Sequence, residues 1–274
     1  MVLAAGLAAW LFPSLRDAHG IHRLTAGDLE QGKAMFAAML SGDRDRVAPE
    51  MFGLHAKRAP NGWEGVVLAE PKGDCAGRGV YLMREGETAP LAITAPHRGS
   101  DRHTGTLAAQ LFLETQAQAA AWNSAPRRVS DSCAHAIDLA RAPDHLFSAF
   151  ALGFAKAQPR GLIVQLHGFD GDRRKSEAAR TAGMIVSNGT QVPDRRLLDL
   201  ADCLSLALDP QRVLVYPNET GELGALTNAQ GQLLHDAGFG GFVHLEISGP
   251  LRARLIGDET LRSRLASCLL EAAR

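Results

Sequence analysis

The chain has 10 histidines, and several of them stand beside Gly, Asp or Pro rather than inside apolar periodic runs. The densest group of ionisable residues is the stretch 95–105, APHRGSDRHTG, which puts His97, Asp101 and His103 in one loop. Neutral imidazole nitrogen and carboxylate oxygen are ordinary zinc donors, and catalytic zinc commonly takes three protein ligands and a water. The plain alternative is a surface loop whose His and Asp cap the helix that follows. His167, in QLHGF, is an independent third donor, and Gly168 beside it allows close backbone approach. Glu246 lies in HLEIS between Leu245 and Ile247. An unpaired carboxylate there would cost several kcal/mol or take up a proton. Beside a metal-activated water the same carboxylate is a general base; the competing reading pairs it with Arg252 or Arg254. His244 alternates to the same face as Glu246 and reads as its supporting partner.

These residues need a scaffold that brings them together. The segments 66–69, 80–83 and 91–95 read as strands, as do the aliphatic run LIVQL at 162–166 and the segments 184–186, 213–216 and 242–247. Helical spacing covers 26–40, 105–122, 145–157, 194–208 and 258–273. Strands alternating with helices imply a largely parallel sheet covered on both sides. The strand ends carry residues that a core would not choose: LAITA leads to His97, LIVQL to His167, MIVS to Asn188, and VHLE ends in Glu246. Ligands of open α/β sheets sit at the carboxyl ends of strands, so these ends form one candidate constellation. The polar loop LGALTNAQG at 223–231 adds Asn228 as a candidate substrate contact. Asp138 and Arg141 read as a helical i, i+3 pair and nothing more.

Composition narrows the classes. The formal net charge of -1 gives no electrostatic case for nucleic acid or an anionic membrane surface. Aromatics at 5% offer few stacking platforms for single strands. Cys75, Cys133, Cys203 and Cys268 include no Cys-x-x-Cys pair, which removes a thiolate zinc knuckle. Cys203 and Cys268 read as plain helix-face residues. The apolar run MVLAAGLAAWLF at 1–12 is too short to span a bilayer; it reads either as a signal-peptide core, whose length it has, or as a buried N-terminal helix. The chain is expected in the periplasm or exported if that run belongs to a signal, and in the cytoplasm otherwise. Residues 1–60 are expected as an N-terminal apolar and helical segment, and 61–274 as the α/β metallohydrolase-like domain.

Taken in order, APHRGSDRHTG, QLHGF and HLEIS resemble the zinc-peptidase-like amidohydrolases. That superfamily holds carboxypeptidases, N-formylglutamate amidohydrolases and poly-γ-glutamate hydrolases. The resemblance spans roughly residues 91–251. It implies a three-layer α/β/α sandwich with a mixed, largely parallel sheet, and one zinc ion. By the same resemblance His97 is the first ligand, His167 the later one and Glu246 the base. The family usually shows Glu before its turn; here His103 precedes Thr104-Gly105-Thr106, with Asp101 two residues earlier. The middle ligand is therefore His103 or Asp101, with His103 favoured. The implied chemistry is metal-assisted hydrolysis of an amide or peptide bond in a small carboxylate-bearing or γ-glutamyl-type substrate. Arg98, Arg102 or Arg252 would hold that carboxylate. Two rivals remain. LHGF is similar to the oxyanion segment of serine α/β-hydrolases, but the chain has no Gly-x-Ser-x-Gly elbow. The other is a non-catalytic exported binding protein with an enzyme-derived pocket.

Overall fold

The structure, a computed structural model, describes residues 21–43, 48–59, 63–130, 133 and 135–274. The apolar run 1–12 lies outside the described residues. One nine-stranded sheet runs through the molecule. In chain order its strands are β1 (His55–Arg58), β2 (Gly65–Ala69), β3 (Val80–Arg84), β4 (Ala89–Ala95), β5 (Ala117–Trp122), β6 (Leu162–Phe169), β7 (Met184–Ser187), β8 (Val213–Val215) and β9 (Phe242–Ser248). Their order across the sheet is β1-β2-β3-β5-β4-β6-β9-β7-β8. The central four, β5, β4, β6 and β9, are mutually parallel, while β3 and β7 join them antiparallel. The sheet is therefore mixed with a parallel centre, and the carboxyl ends of β4, β6 and β9 share one edge.

The helices are α1 (Ala26–Leu40), α2 (Thr104–Glu114), α3 (Leu146–Ala157), α4 (Glu177–Thr181), α5 (Arg195–Ala207), α6 (Ala229–Asp236), α7 (Gly249–Gly257) and α8 (Glu259–Ala272). Side chains alternate across each strand, so the central strands feed two cores, while β1 at the sheet edge is exposed. Leu162, Val164 and Leu166 of β6, with Val243, Leu245 and Ile247 of β9, pack against α2, α5, α7 and α8. Ile163 and Phe242 point the other way, into a core built with α1, α3 and α6. The result is the expected three-layer α/β/α sandwich. Among the described residues no helix is long and apolar enough to cross a membrane.

Two expectations change. The helix expected over 105–122 ends at Glu114, and the Ala-rich remainder is strand β5. Gln116 turns the chain with φ 52, and Thr115 Oγ1 closes the last turn on the Leu111 carbonyl at 2.6 Å. Alanine favours helix locally, but Ala119, Ala120 and Ala121 are wholly buried between β3 and β4, where small side chains let both layers approach. Tertiary packing overrides propensity there. Cys203 and Cys268 are also more than helix-face residues: they form a disulfide between α5 and α8 at a Cα–Cα distance of 5.7 Å, and Cys75 pairs with Cys133.

The disulfide between α5 and α8 closes a loop with a sequence separation of 65. In the chain-entropy description such a loop stabilises by about 4 kcal/mol. Cys203→Ser with Cys268→Ser is expected to shift the denaturation midpoint by an amount of that order. Unfolded but unreduced protein should show no thiol to a chromogenic reagent; a stoichiometric thiol signal would overturn the pairing.

Candidate metal centre

Chemical character changes stepwise along the two central strands. On the α3-facing side β6 presents Ile163, then Gln165, then His167, and β9 presents Phe242, then His244, then Glu246. Register places Gln165 beside His244 and His167 beside Glu246, with Thr94 of β4 flanking Gln165. An apolar row is thus followed by a buried polar row and then by the ionisable row at the sheet edge.

The loop after β4 brings a third strand into the site. Main-chain bonds from Ser100 N and Asp101 N to the His97 carbonyl, at 2.9 and 2.8 Å, wind the loop into a tight turn. That turn points His97 and Asp101 the same way. The Asp101 carboxylate accepts from Gly168 N at 3.0 Å, which fastens the loop to the end of β6. Beneath it lies the buried guanidinium of Arg252. It donates to the Arg102 carbonyl at 2.7 Å and also to the carbonyls of Ile247 and Phe169. Gly168 is required here, since a Cβ would lie 2.2 Å from Arg252 Nη1.

The donor atoms face one another. His97 Nδ1 is 3.4 Å and His167 Nδ1 3.7 Å from the same Asp101 oxygen. Ligand atoms around a tetrahedral zinc, at about 2.0–2.1 Å from the ion, are roughly 3.3 Å apart, so this spacing suits a shared cation. The far nitrogens are held by acceptors: His97 Nε2 by Asp138 Oδ1 at 2.7 Å and His167 Nε2 by Gln165 Oε1 at 2.8 Å. A proton on each Nε2 satisfies those bonds and leaves both Nδ1 lone pairs directed at a carboxylate. Lone pairs facing a carboxylate require a proton or a cation between them, and His97 Nδ1 is buried with no hydrogen-bond partner. The residues therefore fit a divalent ion.

A second group, His167, His244 and Glu246, also has ligand atoms within 4.8 Å of one another. Ring orientation separates the two. His97 and His167 meet edge to face at 82°, so their in-plane lone pairs can converge. His167 and His244 lie at 34° with centroids 4.4 Å apart, so their lone pairs run side by side. The first group is the better cradle, and His244 packs behind it.

Electrostatics follow from this burial. Desolvation alone would lower His97, but the adjacent carboxylates of Asp101 and Asp138 outweigh it and raise the pKa. Burial would raise both carboxylates, yet the imidazoles hold Asp101 well below its usual range and bring Asp138 to about 2. Burial depresses His167 and pushes His244 well down. Glu246 is raised to about 7, by burial first and then by the charge of Asp101. Its Oε2 has no partner, and Oε1 is 3.8 Å from His244 Nε2. Glu246 is not paired with an arginine: Arg252 is committed to main-chain carbonyls, and Arg254 is exposed.

These groups line a cavity of about 210 Å³ that also admits Arg127, Arg141 and Asn228. Arg127 is bound to Asp138 at 2.8 Å. Arg141 has no ion pair among the described residues. Leu223 and Ala225 roof the cavity with φ of 64 and 56, on either side of Gly224, which packs against the Tyr216 ring.

The structure thus gathers His97, Asp101, His167 and Glu246, with Asn228 in the wall. His103 stands apart from both groups: it precedes α2 with φ 76, where the turn carries it away from the sheet edge. Arg98 and Arg102 are exposed and outside the cavity wall. Arg98 lies over Gly105, and Arg102 contributes its carbonyl to Arg252. Asp138 is not in a helical pair with Arg141. It precedes the short 3-10 turn Leu139–Arg141 and turns its carboxylate to His97. Sequence reasoning missed Asp138, Arg127 and Gln165. Gln165 left a signal, as the polar residue of an aliphatic strand; Asp138 and Arg127 left none, because their contacts are long-range.

The chain matches no protein-family model and no curated protein sequence. It is similar to several solved structures at low identity. A bacteriophage poly-γ-glutamate hydrolase is 15% identical with a TM-score of 0.44, over 70% of this chain and 87% of that one. A candidate carboxypeptidase from Burkholderia mallei is 13% identical with a TM-score of 0.44, over 86% of this chain and 67% of that one. A succinylglutamate desuccinylase from Vibrio parahaemolyticus is 10% identical with a TM-score of 0.44, over 84% and 81% of the two chains.

Proposed function

We propose that the chain is a zinc-dependent hydrolase of amide or peptide bonds. The observation that carries this reading is the convergence of His97 Nδ1, His167 Nδ1 and an Asp101 oxygen on one point, with the unpartnered Glu246 carboxylate in the same cavity. His97, Asp101 and His167 would hold the ion. Zinc bound there supplies Lewis acidity, polarising a carbonyl and making a water more acidic. The remaining work belongs to side chains. Asp138 and Gln165 fix the imidazole tautomers. Glu246 accepts a proton from the attacking water at Oε2 and returns it to the leaving nitrogen, and a carboxyl group raised to about 7 is matched to both transfers.

The cavity favours a small acyl group, being below the common range of ligand pockets, roughly 300–1,000 Å³. Among the described residues Arg141 is the arginine of its wall without an ion pair, so it takes over the carboxylate-holding role expected of Arg98, Arg102 or Arg252, with Arg127 in the same wall. This supports a small carboxylate-bearing or γ-glutamyl-type substrate. A serine nucleophile finds no support at Ser187, which is wholly buried. Two disulfides favour an oxidising compartment and therefore export.

Three measurements test this reading. In competition with a chromophoric chelator, Asp101→Ala should lose more zinc affinity than the ten- to hundredfold typical of an outer partner, while His103→Ala keeps it. The reverse result would return the ligand role to His103. Glu246→Gln should retain zinc and lose about a hundredfold or more in turnover. An unstable variant with normal turnover per folded molecule would remove Glu246 from the chemistry, and full binding with no turnover in the parent would favour a binding protein. Arg141→Ala should raise KM for a carboxylate substrate by roughly tenfold to a hundredfold, as expected for a lost hydrogen bond to a charged group. An unchanged KM would move substrate recognition elsewhere.

A further inference from the structure

The residues around Asp138 belong to the long connection between β5 and α3, whose described residues form only the 3-10 turn Leu139–Arg141 and an isolated bridge. Its neck is narrow: Ile137 N donates to the Pro126 carbonyl at 3.0 Å, and Ala125 N donates to the Asn123 side chain at 3.0 Å. Farther out, Ser130 and Cys133 form a two-residue bridge, with main-chain bonds of 3.1 and 3.0 Å. The segment between β2 and β3 grips this connection at three places. Gly79 N donates to Ser124 Oγ at 2.8 Å. Gly77, with φ 76, sits so close that a Cβ there would meet Ile137 at 3.3 Å and Ala125 at 3.4 Å. The third place is the Cys75–Cys133 disulfide, the one covalent tie.

From that tie a continuous chain of contacts reaches the candidate ion. Cys133 is bridged to Ser130, and Arg127, three residues earlier, binds Asp138 through Nε and Nη2 at 3.0 and 2.8 Å. Asp138 in turn holds His97 Nε2 at 2.7 Å, which sets the tautomer and direction of a donor ring. Without the tie, Arg127 would depend on its ion pair with Asp138, a few main-chain bonds and the contacts of residues 124, 125 and 137 with Gly77 and Gly79. Asp138 keeps the buried Ile137 and Leu139 on either side and the Gln230 bond to the Leu139 carbonyl.

We infer that the Cys75–Cys133 disulfide is a positioning element of the ion site, acting through Asp138 on His97; this rests on the metal-centre reading above. By contrast, Cys203–Cys268 joins α5 to α8 and has no such path to the ion.

The test uses the full chain with Cys75→Ser and Cys133→Ala, alanine being chosen because Cys133 is buried and a hydroxyl there would lack a partner. Zinc affinity is measured by chelator competition for the parent, this variant, Asp138→Ala and their combination, with Cys203→Ser/Cys268→Ala as control, alanine again at the buried position. Breaking Cys75–Cys133 is expected to weaken zinc by about tenfold, the lower end of the cost of an outer partner. The combination should lose no more than Asp138→Ala alone, because both act on one contact. The control should leave affinity unchanged. Parental affinity in the Cys75→Ser/Cys133→Ala protein, or losses that multiply, would overturn the inference. Amide exchange of the ion-free proteins gives a second readout. Faster exchange over 123–130 and 135–138, with β4 and β6 unchanged, is expected, and unaltered exchange would count against the tie. If the parent binds no zinc, the metal reading fails while the exchange result still decides the positioning role.

Discussion

Two imidazole nitrogens and one carboxylate oxygen face one another inside the protein, and most features of the centre serve to make that arrangement stable. Each imidazole must keep its proton on the far nitrogen, which accounts for Asp138 behind His97 and Gln165 behind His167. Gln165 must itself be fixed: its oxygen also accepts from Asn228, and its nitrogen donates to Gln230 at 3.3 Å. Gln230 in turn donates to the Leu139 carbonyl and Ser148 Oγ, both at 2.9 Å. The network therefore runs from the donor atoms through α6 to α3 and to the turn that follows Asp138. A partly satisfied network would be worse than an apolar core, so the polar residues of this layer stand or fall together.

The sheet makes such a network compatible with two dry cores. The period of two along β6 and β9 sends Val164, Leu166, Leu245 and Ile247 to one layer while Gln165, His167, His244 and Glu246 face the other. A shift of one residue in register would exchange these sets and bury the ionisable row among α2, α5 and α7. Parallel pairing of β4, β6 and β9 brings three chain segments to one edge without turns between them. Residues distant in sequence consequently share one cavity of about 210 Å³.

What was legible in the sequence was whatever is fixed locally. His97, His167 and Glu246 stood out because each follows or interrupts an aliphatic strand. The strands themselves were readable from their β-branched runs. The alternation of strands and helices set the layer architecture. The choice between Asp101 and His103 was not legible, because it depends on how tightly residues 97–101 wind after β4. Asp138 was invisible for a similar reason, since its partner His97 is 41 residues away. β5 was hidden because AQAAAW is helical by propensity and becomes a strand only between β3 and β4. The cysteines gave a count but no pairing, as spacing alone chooses none.

Arg252 is a cation enclosed in protein and satisfied by main-chain carbonyls from three places: Arg102 in the loop after β4, Phe169 at the end of β6 and Ile247 in β9. Carbonyls carry no side-chain identity, so this role sets no residue type at the exposed position 102, while Phe169 and Ile247 are held by their own burial in the cores. The positions of the three carbonyls in space are not free. An insertion or deletion between β4 and α2 would pull one acceptor away and strand a buried charge, which costs far more than rebuilding a surface turn. Over evolutionary drift this loop should thus keep its length, exchanging residues readily only at its exposed positions 98–100 and 102, because His97 and Asp101 face the site. In most folds that pattern belongs to core strands, and here it extends to an exposed connection.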